Sequence, residues 1–389
     1  VALPLSYNVR NVRVRWQVTL LSIIGIALVV AVFTVLMSMS EGFAMALRST
    51  GRTDNAMVVQ PGSASELTSG VPLDQGNQIV VDERVARGAD GQPLASWEWV
   101  IVISLTKKVD GQPTNVSIRA VQPRTFDVRG GIQIVEGRRF TPGLDEVIVG
   151  RKLVERMQGL ELGKSVKYQR KEFKIVGIFE SRGGAFESEI WGDYDVFGAI
   201  FQRGAGANVL VVRMKNASDI QALDQWIKSN PQMQLQAVAE KKYYEDQAGP
   251  LALILRRLAN GVAFIMGIGA VFGAMNTMYA IVSARTREIG TLRALGFSRR
   301  AILFSFVVES VFLAIVGGAI GCLLAFPMNG FSTGTGQTQS FSEIAFAFRI
   351  TPEIVASGMT FAALMGLVGG FLPALRAARL PITSSLREA

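Results

Sequence analysis

The sequence predicts a membrane protein: an α-helical four-span transmembrane domain, with a large mixed α/β extracytoplasmic domain between the first and second spans. Three observations carry this reading. Four apolar runs, 18–39, 259–282, 302–326 and 354–372, are each long enough to cross a bilayer, whose hydrocarbon core of about 30 Å needs about 20 helical residues. A stretch of soluble composition, about 43–250, separates the first two runs. Arginines gather at one set of run ends. The whole chain is 49% hydrophobic with a mean hydropathy of +0.31.

The arginines set the orientation. Arg10, Arg13 and Arg15 precede the first run, and Arg285, Arg287, Arg293, Arg299 and Arg300 lie between the second and third. Arg376, Arg379 and Arg387 follow the fourth, whereas the connection 327–351 carries only Arg349 and Glu343. The positive-inside rule then puts both termini and the arginine loop in the cytosol, and the large domain outside. The expected order is a cytosolic segment 1–17, first span 18–42, outer domain 43–250, stalk and second span 251–284, cytosolic loop 285–300, third span 301–326, outer loop 327–352, fourth span 353–373 and cytosolic tail 374–389. Ala44-Met45-Ala46 is similar to a signal-peptide cleavage site. The apolar run before it exceeds a signal core of about 7–15 residues, so an uncleaved span is expected.

Within the outer domain, short β-branched runs bounded by Gly, Pro or Asp predict strands at 56–60, 99–105, 116–121, 146–149, 173–179, 209–214 and 235–239. An amphipathic helix is expected at 219–229, capped by Ser218. From Glu240 the pattern turns helical and runs on into the second span, which would couple the outer domain rigidly to the membrane. The Gly/Ser/Thr/Gln stretch 329–340 reads as a flexible outer loop.

Composition removes several chemistries. There is no histidine, which excludes Ser-His-Asp and Cys-His catalysis and histidine metal sites. The one cysteine, Cys322, lies in an apolar run and leaves no intrachain disulfide or cysteine-rich zinc site. A net charge of +9 suits nucleic acid or a membrane surface, and arginines flanking apolar runs favour the membrane, with no nucleic acid. Gly163-Lys164-Ser165 imitates the end of a phosphate-binding loop, but position 158, where the first glycine belongs, is Gln. A turn is expected there. The chain is therefore read as a non-enzyme, with no catalytic, cofactor-binding or metal residues of its own.

Two places stand out. In the cytosolic loop, Thr286 to Leu295 has the pattern of a short amphipathic helix ended by Gly296, with Ile289, Leu292 and Leu295 at helical spacing. Such a helix either lies in the membrane interface or docks into a partner's groove. Glu309 sits about two turns inside the third span, where a charge costs about 2.5–3.5 kcal/mol and must find a partner. Either it pairs with an arginine of the 285–300 loop as a coupling residue, or it is structural and bonded to Ser305 or Ser310. The pairs Gly269/Gly273, Gly317/Gly321 and Gly366/Gly370 have the spacing that lets helices approach closely, within one chain or across a dimer.

The run Thr286-Arg-Glu-Ile-Gly-Thr-Leu-Arg-Ala-Leu-Gly296, with Ser298-Arg299-Arg300, Glu309, Gly317-Gly318 and the preceding Asn276-Thr277-Met278, resembles the permease signature of the MacB/FtsX-type ABC transporter family. The tail Pro373-Ala-Leu-Arg-Ala-Ala-Arg379 and Leu386-Arg387 fit it too. Glu136-Gly-Arg138, Phe140, Glu146-Val-Ile-Val-Gly150, Leu162-Gly-Lys164 and Phe173-Lys-Ile-Val-Gly177 resemble its outer domain.

The resemblance implies a type VII permease in the bacterial inner membrane. Its outer domain would have a porter-like part at about 43–85 and 191–250 and an inserted lobe at about 86–190. It implies a dimer with a second permease copy or paralogue, and a separate ABC ATPase carrying ATP and Mg. Arg285, Arg287, Glu288, Ile289, Leu292, Arg293, Leu295 and Gly296 would then form the coupling helix on that ATPase. Work would pass to the outer domain by mechanotransmission, for export with a periplasmic adaptor and an outer-membrane protein. The alternatives are a lipoprotein- or lipid-extracting permease, or a signalling permease that activates an outer cell-wall hydrolase.

Overall fold

The structure, a computed structural model, describes residues 16–168, 171–201, 204–336 and 342–381. Arg10, Arg13, Arg15, Leu386, Arg387 and the 337–340 part of the expected outer loop lie outside the described residues. Helix α1 (Trp16–Arg48) comes first. Next come β1 (Asn55–Val59), β2 (Val71–Pro72), α2 (Leu73–Val80), β3 (Ala95–Thr106), β4 (Pro113–Val121), α3 (Thr125–Arg129), β5 (Gln133–Gly137) and β6 (Glu146–Gly150). Then follow α4 (Arg151–Arg156), β7 (Ser165–Tyr168), β8 (Lys171–Glu180), β9 (Glu189–Asp193), α5 (Tyr194–Ile200), β10 (Gly206–Ala207), β11 (Val209–Arg213), α6 (Asp219–Ser229) and β12 (Gln236–Ala239). The chain continues through α7 (Glu240–Ala284), α8 (Thr286–Ala294), α9 (Arg299–Ala325), β13 (Ser332–Gly336), β14 (Glu343–Ala347) and α10 (Pro352–Arg379).

The chain divides into two compact units. One comprises Val1–Glu41, Leu253–Phe331 and Phe348–Ala389, the other Gly42–Ala252 and Ser332–Ala347. In the first unit α1, α7, α9 and α10 supply four helices long and apolar enough to cross a membrane. Their cores are layered. Ile26, Val30, Ala314, Ala362 and Met365 form one cluster, and Phe33, Met37, Ala259, Ala263 and Ile354 another. Much of their outer surface is large and apolar: Leu21, Phe264, Ile265, Phe304 and Leu323 are each more than 65% exposed. That composition suits hydrocarbon and not water.

The second unit is built on a ten-stranded sheet, of order β12-β1-β11-β3-β4-β9-β6-β8-β5, with β7 paired to β8. Most neighbours are antiparallel, whereas β4/β9 and β6/β8 are parallel. Val, Ile and Trp dominate its central strands, as expected of strands packed on their faces. One core gathers Ala56, Val58, Trp97, Leu210, Val212, Leu223 and Ile227 around β1, β11 and α6. The other gathers Trp99, Ile118, Val147, Phe173, Ile190 and Phe197. Phe173 and Phe197 stack there with centroids 4.5 Å apart.

Two expectations are corrected. The 329–340 loop is not irregular throughout: Ser332–Gly336 forms β13, paired in register with β14. Its glycines and threonines are short enough for a hairpin. Glu343 of β14 bonds Arg156, ion-pairs with Lys107 at 3.3 Å and accepts from Thr114 at 2.7 Å. Those partners lie far away in sequence, so the hairpin's anchoring cannot be read locally. Ser218 precedes α6, but its side chain makes no capping bond. Asp219 instead accepts from the backbone N–H of Asn216 at 3.1 Å and so closes the preceding turn. Gly163-Lys164 forms a turn before β7, where exposed Lys164 pairs with Glu161 at 2.8 Å.

Candidate functional site

The site grows from the corner where α7, α8 and α9 meet in sequence. Helix α7 ends at Ala284, and Arg285 leaves helical geometry with φ −114° and ψ 13°. Thr286 Oγ1 donates back to the Ser283 carbonyl at 2.8 Å and holds the bend. Helix α8 stops at Gly296, whose φ of +97° favours glycine. Ser298 then caps α9 by accepting from the Ala301 N–H at 3.2 Å.

Arg285 and Glu309 are 4% and 3% exposed. Arg285 Nη1 donates to Glu309 Oε2 at 3.0 Å and to Oε1 at 3.3 Å. Its Nε donates to Glu288 at 3.3 Å, and its guanidinium carbon stands 5.0 Å from the Phe306 ring centre. Phe306 belongs to a buried apolar cluster with Met278, Ile281, Ile289, Ile302, Ala374 and Ala377. Glu309 is thus paired with an arginine next to α8, and Ser310 Oγ donates to the Gly366 carbonyl at 2.7 Å. A cation and an anion placed in such surroundings are stable only together.

The other loop residues separate into two groups. Ile289 is 1% exposed and packs inward, so it anchors α8 and cannot offer a docking surface. Leu292 and Arg293 are half-buried. Arg287, Glu288 and Gly296 are exposed, and Leu295 is 73% exposed. The helical spacing of Ile289, Leu292 and Leu295 therefore does not make one contact stripe, because the helix is too short to keep all three on one face of the corner.

The glycine pairs also divide. A Cβ on Gly317 or Gly321 would press on α1, 3.0 Å from the Ile23 carbonyl and 2.5 Å from the Ala27 carbonyl respectively. One on Gly366 or Gly370 would meet α9 at Ala314 and Ser310. At Gly269 and Gly273 a Cβ would meet nothing within 4 Å among the described residues. This third pair is not a packing contact within the chain. On α7 that role falls to Gly267, opposite Phe361, and Ala274, opposite Gly369. The exposed pair lies beside exposed Phe264, Ile265, Ile268 and Phe272.

In the sheet unit sequence reasoning missed a buried ionic network. Arg119 donates to both oxygens of Glu189 at 2.8 Å and to Glu98 at 3.0 Å, and also bonds Glu66. Arg129 donates to Glu98 at 2.9 and 2.6 Å and bonds Glu240 at the start of α7. Tyr244, one turn further, donates to Glu66 at 2.7 Å. Burial pushes the Glu98 carboxyl up, but the Arg129 and Arg119 guanidiniums outweigh it and hold Glu98 below its ordinary value. The network thus fastens the first turn of α7 to β3, β4 and α3. A faint signal existed: Glu98 stands between Trp97 and Trp99 in a strand, where a lone charge needs a partner.

Residues 19–230 match the MacB-like periplasmic core domain, and residues 260–382 match the FtsX-like permease C-terminal domain. The chain belongs to the MacB/FtsX family of ABC transporter permeases. The ABC transporter permease YvrN of Bacillus subtilis is 26% identical over 94% of this chain and 93% of its own length. The pyoverdine export ATP-binding/permease protein PvdT of Pseudomonas fluorescens is 29% identical over 66% of this chain and 40% of its own. The macrolide export ATP-binding/permease protein MacB of Brucella abortus is 26% identical over 57% and 34%. The periplasmic region of MacB from Actinobacillus actinomycetemcomitans aligns with 52% of this chain, covering 96% of its own, at 12% identity and TM-score 0.38. Within the MacB/FtsX family chain, the signature block coincides with the α7–α8–α9 corner, and the four apolar helices mark it as a membrane protein.

Proposed function

We propose that this chain is a permease subunit of the bacterial inner membrane, which couples ATP hydrolysis on a separate ATPase subunit to motion of its outer unit. ATP and Mg belong to that partner. The observation that carries the reading is the Arg285–Glu309 pair. It ties Arg285, the single residue between α7 and α8, to the third turn of α9. A push on the exposed side of α8, at Arg287, Glu288 and Leu295, would then move α7 and α9 together and not merely bend a loop. The ionic network at Glu240 supports the outer end of the same route, since it fixes the start of α7 to the sheet. The arginine distribution supports a cytosolic position for both termini and α8, with the sheet unit outside.

The working unit is a dimer with a second permease copy or paralogue. The export names of the PvdT and MacB relatives favour export over lipid extraction or hydrolase activation, and a periplasmic adaptor and an outer-membrane protein are its proposed partners. Purification from the native host with crosslinking and mass spectrometry tests this. An ATPase and an adaptor crosslinked to the chain support it. A lipoprotein or a cell-wall hydrolase in place of the adaptor supports one of the alternatives. No ATPase under any nucleotide condition overturns the coupling reading. Replacing both Arg287 and Arg293 with Glu is expected to abolish ATPase association while the protein still assembles in the membrane.

A further inference from the structure

The outer unit carries a basic cleft that the transport reading does not use. Gly130 and Gly131, with φ of +60° and +71°, form a turn after α3. A Cβ on Gly130 would lie 3.3 Å from Arg52 Nη1 and 3.5 Å from Arg213 Nη2, and one on Gly131 would lie 3.5 Å from Arg182 Nε. Three guanidiniums from distant parts of the sequence therefore converge on one backbone turn. Gly130, Gly131, Arg52 and Arg182 line a small open cleft of about 40 Å³, with Arg129 and Glu240 also on its wall.

The charges there are not balanced. Arg129, also on the cleft, is bonded to Glu98 and Glu240. Arg52 is paired with Asp54 at 2.7 Å. Neither Arg182 nor Arg213 has a carboxylate within ion-pair distance among the described residues. Arg213 Nη2 donates to the Val128 carbonyl, and its Nε is buried with no hydrogen-bond partner. Burial first, and then the neighbouring Arg52, lower its hold on its proton, opposed by Asp54, Glu240 and Asp127.

The backbone is held in an unusual state to make this arrangement. Among the described residues Arg182 is the non-glycine residue with positive φ, at +50°, a conformation that side-chain-bearing residues seldom adopt. Its neighbours hold it there. Ser181 N–H and Gly183 N–H donate to the buried Glu187 Oε1 at 2.8 and 2.7 Å, and Ala185 N–H donates to Thr50 Oγ1 at 2.7 Å. A strained conformation fixed by several bonds points to a use, and its effect is to bring an exposed, unpaired arginine to the Gly130–Gly131 turn.

We propose that this cleft binds a phosphoryl oxyanion through the guanidiniums of Arg182 and Arg52, which line it, with the charge of Arg213 behind the Gly130 turn adding to the field. Planar forked donors suit tetrahedral oxyanions. The phosphoryl group is either free phosphate or part of a lipid headgroup.

The test is calorimetric titration of the detergent-purified full chain with inorganic phosphate, and of the nanodisc-reconstituted chain with phosphatidic acid against phosphatidylcholine. Arg182→Gln is compared with Arg87→Gln, an exposed arginine that donates to the Gly91 carbonyl elsewhere in the unit. Loss of one charged hydrogen-bond donor is expected to weaken binding by about tenfold or more, and Arg87→Gln is expected to leave it unchanged. Phosphate binding weakened in Arg182→Gln alone supports a free-anion site. Binding only to phosphatidic acid, again weakened in Arg182→Gln alone, supports a headgroup site. Equal binding by both variants, or none to either probe, overturns the proposal. Arg182 is exposed, so its replacement leaves the fold intact, and a melting curve of each variant verifies this.

Discussion

Arg285 and Glu309 stand 24 residues apart in sequence and meet at 3.0 Å, both almost wholly buried. Removing one partner leaves the other charged in an apolar cluster, which costs about 3–5 kcal/mol. Glu309→Ala is therefore expected to lower the denaturation midpoint in detergent strongly. Glu309→Gln keeps one acceptor and is expected to cost less, while reducing ATPase stimulation in the assembled complex. Unchanged stability and activity in Glu309→Gln would leave the pair without a coupling role.

The glycine pairs give opposite expectations. Gly321→Ala would place a methyl 2.5 Å from the Ala27 carbonyl, an overpacking expected to cost about 1–3 kcal/mol. Gly269→Ala meets nothing within 4 Å among the described residues, and better helix propensity is expected to stabilise the isolated subunit by up to about 1 kcal/mol. Thermal melts of the two variants check the sign difference.

Acid is expected to weaken the sheet unit. Glu98 is held below its ordinary value in the fold, so it contributes stability above the unfolded carboxyl value, about 4.3. That contribution is lost as pH falls through the folded value. A melting temperature that stays flat from neutral pH down to about pH 3 would contradict the assignment of charge in the network.

Breaking the network on its cationic side is expected to cost a similar amount. Arg129→Met takes the guanidinium from Glu240 and leaves Glu98 with Arg119 alone, with an expected loss of about 3–5 kcal/mol. Hydrogen exchange in the first turn of α7 should rise more than exchange in β7, which lies outside the network.

Much of the architecture was legible because its signals are local. Apolar run length marks α1, α7, α9 and α10, and short β-branched runs bounded by Gly, Pro or Asp mark β1, β3, β4, β6, β8, β11 and β12. Glu309 was legible as a residue in need of a partner, and the arginine loop limited the choice of that partner. The rest depends on contacts distant in sequence. The short strands β2, β5, β9 and β10 owe their existence to neighbours, and polar β13 is a strand only through its pairing with β14. Arg119 and Arg129 look like surface arginines until β3 brings Glu98 beside them. The turn at Gly130 gives no sequence hint that Arg52, Arg182 and Arg213 gather there.

The β13–β14 hairpin falls between α9 and α10 in the chain, yet it is counted with the sheet unit. A soluble fragment cut from the end of α1 to the start of α7 would therefore omit a piece of the folded body. Arg156 and Lys107 would lose the Glu343 carboxylate, and Phe43 would lose the edge-on ring of Phe346, 5.6 Å away. Biochemistry on such a fragment would describe a body with an open seam. Joining 332–347 to it through a linker would restore the missing wall.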